Sequence, residues 1–183
     1  MSNWSIDPNH TQVGFSAKHL GVMTVRGHFT DVQASIDFNE DDFTASSVEA
    51  TIGAGSVTTG NDQRDGHLKS PDFLEVEKFP TIHFKSTSIE RAAHDHYKLG
   101  GDLTIRDVTR PVTLDLVYSG QAKTPWGTHS AGFSAEGSIS RKEWGLTYNA
   151  ALETGGWVVS DEIKLTLEVE AMKVADAPAS AAA

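Results

Sequence analysis

Eight histidines and no cysteine set the chemistry open to this 183-residue chain. Without a thiol there is no disulfide, no thiolate nucleophile and no Cys-based zinc site. Imidazole remains as a metal ligand, and His94-Asp95-His96 could set two rings on one face of an extended segment. Nothing supplies third and fourth ligands at a recognisable spacing, so the tripeptide reads as a solvated hairpin tip and no metal is expected. Nucleophilic catalysis lacks its Gly-x-Ser-x-Gly elbow. Gly53-Ala-Gly55 and Gly155-Gly156 lack the lysine and hydroxyl of a phosphate loop, and Asp41-Asp42 and Asp161-Glu162 read as turn residues. The side-chain inventory therefore favours binding over catalysis.

Fifteen basic residues against twenty-five acidic ones give a net charge of -10, which repels phosphate backbones and anionic bilayer surfaces and argues against a nucleic-acid partner. A hydrophobic content of 38% allows a real core. The length fits one domain, 1–172, followed by a low-complexity tail, 173–183, that reads as disordered. Residues 1–7 carry no basic and apolar signal regions, and no run approaches the ~18 apolar residues of a membrane span. The expectation is a cytoplasmic protein with no integral membrane segment. Oligomeric state is left open, a homodimer included.

One stretch, residues 56–80, cannot be a strand, and the rest alternates around it. Residues 61–70 are polar and lack β-branched side chains; Thr59 with Asp62 reads as a capping box opening a helix, which Pro71 stops. Leu68, Phe73, Leu74, Val76 and Phe79 suffice to press that helix onto an apolar opening as a plug or lid. An ordinary crossover with a helical turn fits the spacing equally. Between residues 22 and 38 the apolar positions switch from odd (Met23, Val25, Phe29) to even (Val32, Ala34, Ile36, Phe38), which predicts a β-bulge at 30–32. Strands are expected at 48–56, from Ile82, at 97–105, 112–119, 131–139 and 158–172. Residues 106–111 read as a turn, 120–127 as a loop and 141–156 as a long connection.

Alternating strands in hairpin order, each with one polar face, make an antiparallel sheet, and closure into a barrel removes its edges. At ~3.3 Å per residue and ~40° tilt, the strand at 158–172 gives a wall of roughly 35–40 Å. Ala50, Ala54, Gly101, Ala131, Ala135 and Gly137 stand where a filled barrel has bulk. They point either to a hollow interior or to relief of crowding at bends.

The chain resembles the YceI-like family over residues 4–172. The signals come in family order: Ile6-Asp7-Pro8 with His10, Phe15, His19-Leu20, and Arg26-Gly27 with Phe29. Then follow Ser56-Val57 with Thr59, the run Asn61-Asp-Gln-Arg64-Asp65-Gly-His67-Leu68, Asp72-Phe73, and Phe79-Pro80 with Phe84 and Ser86. Gly101-Asp-Leu103-Thr-Ile105, Thr109-Arg-Pro111, Arg141 with Trp144-Gly145, and Asp161-Glu162 complete the series. Arg106-Asp107 departs from the Arg-Gly of that turn.

The resemblance implies an elongated, eight-stranded, lipocalin-like antiparallel barrel with a short helical plug. It implies a non-catalytic carrier for a long isoprenoid, either polyprenol or isoprenoid quinone, in an internal tunnel that needs no cofactor. The implied ligand-binding residues are Phe15, His19, Ala50, Ile52, Ala54, Arg64, His67, Phe73, Phe84, Leu99, Leu103, Ile105, Leu114, Leu116, Phe133, Ala135, Trp144, Leu165 and Leu167. For His19, Arg64, Asp65 and His67 the alternative is a structural bond tying plug to wall, and the competing function is an enzyme built around His19 and His67. A tunnel as long as the wall would take seven or eight isoprene units at about 5 Å each.

Overall fold

The computed structural model describes residues 2–125, 127–153 and 155–174. It contains eleven strand segments and one α-helix: β1 (Ser2–Ile6), β2 (Gln12–His19), β3 (Met23–Phe29), β4 (Val32–Phe38), β5 (Ser47–Gly53), β6 (Val57–Thr58), α1 (Asp62–Lys69), β7 (Thr81–Arg91), β8 (His96–Ile105), β9 (Val108–Lys123), β10 (His129–Ser140) and β11 (Val159–Lys173). The order β1-β4-β5-β7-β8-β9-β10-β11 returns to β1, closing an eight-stranded antiparallel barrel. Segments β2, β3 and β6 extend β1, β4 and β5 past kinks, and pair among themselves and with β11. No described helix is long and apolar enough to cross a membrane. Lys173 closes β11, while the expected tail from 175 onward lies outside the described residues.

The kinks come from short-range chemistry. At Pro8, five residues (7–11) stand opposite only two of β11, because Ile6 pairs with Ala171 and Gln12 with Glu168. Proline has no N–H for the ladder, so the strand bends there. The Asp7 carboxylate accepts from the Asn9 amide at 2.9 Å and contacts His10 Nδ1 at 2.7 Å, pinning the bend.

The phase switch near 30–32 is a corner between β3 and β4 rather than a bulge within one strand. The Thr30 and Asp31 amides both donate to Ser56 Oγ, at 3.1 and 3.0 Å, so two residues leave one pairing before the next begins. The expected strand to Ser56 likewise stops at Gly53, followed by a 3-10 turn over Ala54–Ser56.

Three other expectations are corrected. The turn at 106–111 shrinks to Arg106-Asp107, with Arg106 at φ 57°, because β9 begins at Val108. The loop at 120–127 starts later, since β9 runs to Lys123 after a bulge that leaves Ser119 unpaired beside Gly120 at φ 102°. Asn61, not Thr59, caps α1: its side chain accepts from the Arg64 amide at 2.9 Å.

Inside, the barrel has two cores. At one end Trp4, Phe38, Phe43, Tyr97, Tyr118 and Phe133 form an aromatic cluster. The Phe43 ring meets Tyr97 edge-on at 4.5 Å and stacks on Tyr118 at 5.3 Å. At the α1 end, Ile52, Ala54, Phe73, Ile82, Leu103, Trp144 and Leu146 pack together. Most of the small inward residues serve these cores rather than an empty space. A Cβ at Gly101 would overlap the Phe84 ring, and one at Gly137 would lie 2.5 Å from Leu114 Cδ2. Ala131 and Ala54, each 1% exposed, are packed into the two clusters.

The pinned bend predicts a pH signature. The Asp7 hydrogen bond raises the His10 pKa, and the His10 bond lowers that of Asp7. The histidine contribution is complete below its ordinary 6.5 and fades as pH rises through the elevated value. The aspartate contribution is complete above 3.8 and fades as pH falls through the depressed one. His10→Ala should therefore lower Tm most between these two values and less in alkaline solution; an equal drop at pH ~5 and ~9 would refute the pair's role.

Candidate functional site

Between the two cores lies a cavity of about 310 Å³ with an apolar wall. Alternation on the strands builds it, because every second side chain faces inward. On β11 the row Ile163, Leu165, Leu167 and Val169 faces it, and β8 contributes Leu99, Leu103 and Ile105. Leu68, Phe73 and Leu74, from α1 and the segment after it, close the end opposite the aromatic cluster.

Of the residues named from sequence, fourteen line this space: Phe15, Ala50, Ile52, Phe73, Phe84, Leu99, Leu103, Ile105, Leu114, Leu116, Phe133, Ala135, Leu165 and Leu167. Five lie outside its lining. Ala54 and Trp144 are packed in the core beneath α1, where Trp144 Nε1 donates to the Leu103 carbonyl at 3.0 Å. His19 ends β2, paired across to Met23 and Val159. Arg64 is exposed and donates from Nε to Thr59 Oγ1 at 2.7 Å and from Nη2 to the Thr59 carbonyl at 3.0 Å. His67 Nε2 lies 2.8 Å from Asp72 Oδ2, and its ring meets Phe73 and Tyr148 edge-on.

Arg64, Asp65 and His67 thus make their polar bonds inside the plug segment and not to the barrel wall. Asp65, 8% exposed, accepts from the Thr59 amide at 2.8 Å and the Thr59 hydroxyl at 2.5 Å. Burial pushes its carboxyl up, but the Thr59 bonds outweigh this and hold it below the ordinary value.

The polar fastening of plug to wall is a pair absent from the sequence expectations. Arg106, at the β8–β9 turn, places Nη2 2.5 Å from Glu75 Oε2, with both side chains about four-fifths buried. The same guanidinium lies 5.4 Å from the Phe79 ring centre. The sequence signal was a glutamate inside the apolar run Phe73-Leu-Glu-Val76, together with the Arg106-Asp107 turn.

Arg141 is the one charged residue on the lining and is 4% exposed. It donates to the Ser160 and Leu146 carbonyls at 3.0 and 2.5 Å and lies 3.4 Å from Asp161 Oδ1. Burial pulls its pKa down, and Asp161 partly restores it. Its bonds hold the connection after β10 against β11.

The cavity is shorter than the wall. Its lining on β11 reaches from Val159 to Val169, ten residue steps, or roughly 25 Å along the axis at ~3.3 Å per step and ~40° tilt. Beyond Val169 the interior is filled by the aromatic cluster around Ala171. The expected 35–40 Å tunnel took the full length of the strand at 158–172 as cavity wall. Among histidine and carboxylate groups, Asp7, His10 and Glu170 gather their ligand atoms within 4.8 Å at the strand bend, far along the chain from His94 and His96.

A closed antiparallel barrel with an apolar interior and a helical cover defines the lipocalin-like class of folds. Within it, the chain belongs to the YceI-like domain family, which matches residues 4–171. A UPF0312 protein of Staphylococcus aureus strain bovine RF122 / ET3-1 is 35% identical over 171 residues, covering 93% of this chain and 97% of the relative. The crystal structure of the Campylobacter jejuni YCEI protein aligns with a TM-score of 0.74 and 34% identity, covering 86% of this chain and 90% of that one. A polyisoprenoid binding domain from Saccharophagus degradans shares the fold at a TM-score of 0.71 and 13% identity, over 95% of this chain and all of the other.

The fastening predicts how variants divide. Arg106→Ala should speed release of a bound apolar fluorophore more than Arg64→Ala, since Arg106 carries a polar bond from plug to wall while Arg64 bonds within the plug. Asp65→Ala should instead cost ~1–3 kcal/mol of stability by stranding the Thr59 donors, read from the urea midpoint. Equal release rates for Arg106→Ala and Arg64→Ala would sink the assignment.

Proposed function

We propose that the protein is a non-catalytic carrier that holds a long isoprenoid, a polyprenol or isoprenoid quinone, in its internal cavity. One observation carries the reading: an elongated apolar cavity whose single charged lining residue, Arg141, has its guanidinium bonded to the protein itself. A wall of this kind grips a hydrocarbon chain along its length and offers little to a head group. The polyisoprenoid binding domain of S. degradans, built on the same fold, supports the choice of ligand class. An enzyme built on His19 and His67 would need both against the ligand, and neither faces the cavity.

Affinity should follow chain length. A five-carbon unit buried at ~0.8 kcal/mol per carbon gives about 4 kcal/mol, against ~1 kcal/mol for a hydrogen bond at the head. Five units already approach the ~20 kcal/mol ceiling of non-covalent affinity, so ordering the flexible chain must offset much of the gain. With roughly 25 Å of cavity and about 5 Å per unit, the gain should level off near five units.

Organic extraction and mass spectrometry of the purified protein should release an apolar chain in near-stoichiometric amount. Competition among isoprenoids of increasing length should show affinity rising to about five units and then flattening. Ala135→Phe, which inserts a ring into the cavity, should lower lipid content with an unchanged circular dichroism spectrum. Affinity that is flat with length, or that responds more to the head group than to several added units, would overturn the proposal.

A further inference from the structure

Six large hydrophobic side chains are exposed among the described residues, and five of them sit at the α1 end of the barrel: Leu20, Val22, Met23, Tyr148 and Trp157. Val22, Met23 and Trp157 are 74%, 62% and 58% exposed, so these side chains pack on little of their own barrel. The backbone brings their segments together. The Leu20 amide donates to the Val158 carbonyl at 2.9 Å, joining the β2–β3 tip to the strand end beside Trp157. Tyr148 lies against His67 and Phe73, and Phe73 is part of the cavity wall.

Two further observations bear on this tip. Leu20 is held at φ 54°, a left-handed conformation that is costly for leucine and that asparagine or glycine would adopt with less strain. The tip thus keeps an exposed apolar side chain where a polar turn residue would be easier to accommodate. The charge here also runs against that of the chain. Residues 8–30 contain no aspartate or glutamate but carry Lys18, Arg26, His10, His19 and His28, in a protein of net charge -10. Lys18 and Arg26 are both exposed, and Lys18 Nζ bonds only the neutral Thr24 hydroxyl at 2.9 Å.

Resting on the reading that the cavity carries a lipid, we propose that the β2–β3 tip and the Tyr148 and Trp157 loop dock on a lipid bilayer, with the plug end facing the membrane. Aliphatic tip residues enter the acyl boundary while tryptophan and tyrosine sit at head-group level. Lys18 and Arg26 then meet lipid phosphates within the ~8–10 Å over which charges act in physiological salt. The patch offers on the order of 500 Å² of apolar surface, short of the ~800 Å² each partner of a stable protein pair buries, which favours the bilayer over a second protein.

The test is flotation of the full chain with vesicles of phosphatidylcholine alone or mixed equally with phosphatidylglycerol, with no isoprenoid added. The parent protein should float with the mixed vesicles. Val22→Asp combined with Met23→Asp should weaken binding on the order of tenfold or more. Lys18→Glu with Arg26→Glu should weaken binding to the mixed vesicles more than to phosphatidylcholine. Brominated lipid should quench the parent's tryptophan emission and lose that effect in Trp157→Phe. All variants should keep the parent's circular dichroism and extracted lipid. Failure to float on either vesicle, or unchanged flotation of the tip variant, would overturn the proposal. So would self-association of the parent that the tip variant abolishes, which would assign the patch to a second copy. Because flotation needs no isoprenoid, an empty cavity on extraction would count against the carrier reading and leave the docking result to stand or fall separately.

Discussion

A barrel that leaves part of its interior unfilled must be held by what closes its ends, and here one end is closed by the aromatic cluster around Phe43. An unfilled apolar interior of about 310 Å³ leaves its lining side chains without packing partners on one side, a loss the closed ends must offset. Phe43, on a short 3-10 turn between β4 and β5, drops its ring among Phe38, Tyr97, Tyr118 and Phe133, so four strand segments share one contact set. Trp4 extends the set to β1 through its edge contact with Phe38. An apolar ligand filling that space would restore those contacts.

The strand pattern was legible in the sequence because one face of each strand is buried, and a one-residue slip would turn that face outward. The corners were not, since they depend on partners far along the chain. The shift at Thr30 and Asp31 is set by the Ser56 hydroxyl, which no local pattern reveals. Small inward residues were a mixed guide: Ala50 and Ala135 do line the cavity, whereas Gly101 and Gly137 look like space in one dimension, yet Phe84 and Leu114 lean across from neighbouring strands to occupy it. The aromatic residues beyond Val169 likewise read as ordinary inward positions, so wall length and cavity length could not be told apart. The apolar lining was mostly legible because hydrophobicity and strand phase suffice to find it. The polar roles were not: Arg64, Asp65 and His67 turn back onto Thr59 and Asp72 of their own segment, and the pair that does reach the wall, Arg106 with Glu75, is 31 residues apart in sequence.

The two ends of the cavity are closed by different kinds of interaction. The aromatic end is tied into the ladder of β1, β4 and β11 as well as by packing, so opening it would break backbone pairing in several strands together. The α1 end is closed by a connection that leaves the sheet after β6 and rejoins it at β7. Its own bonds are mostly internal, from Thr59 to Asp65 and from His67 to Asp72, so the segment can move as a unit without losing them. What ties it down is the Arg106–Glu75 pair, the Phe73 contacts and the Ala54 amide donating to the Pro80 carbonyl at 2.9 Å. Arg106 Nε is buried without a hydrogen-bond partner, so even this fastening is incompletely satisfied in the closed state. A lid that keeps its internal bonds and is tied to the wall by one ion pair, one backbone hydrogen bond and the Phe73 contacts has less to break on opening than the aromatic end, where strand pairing would be lost as well.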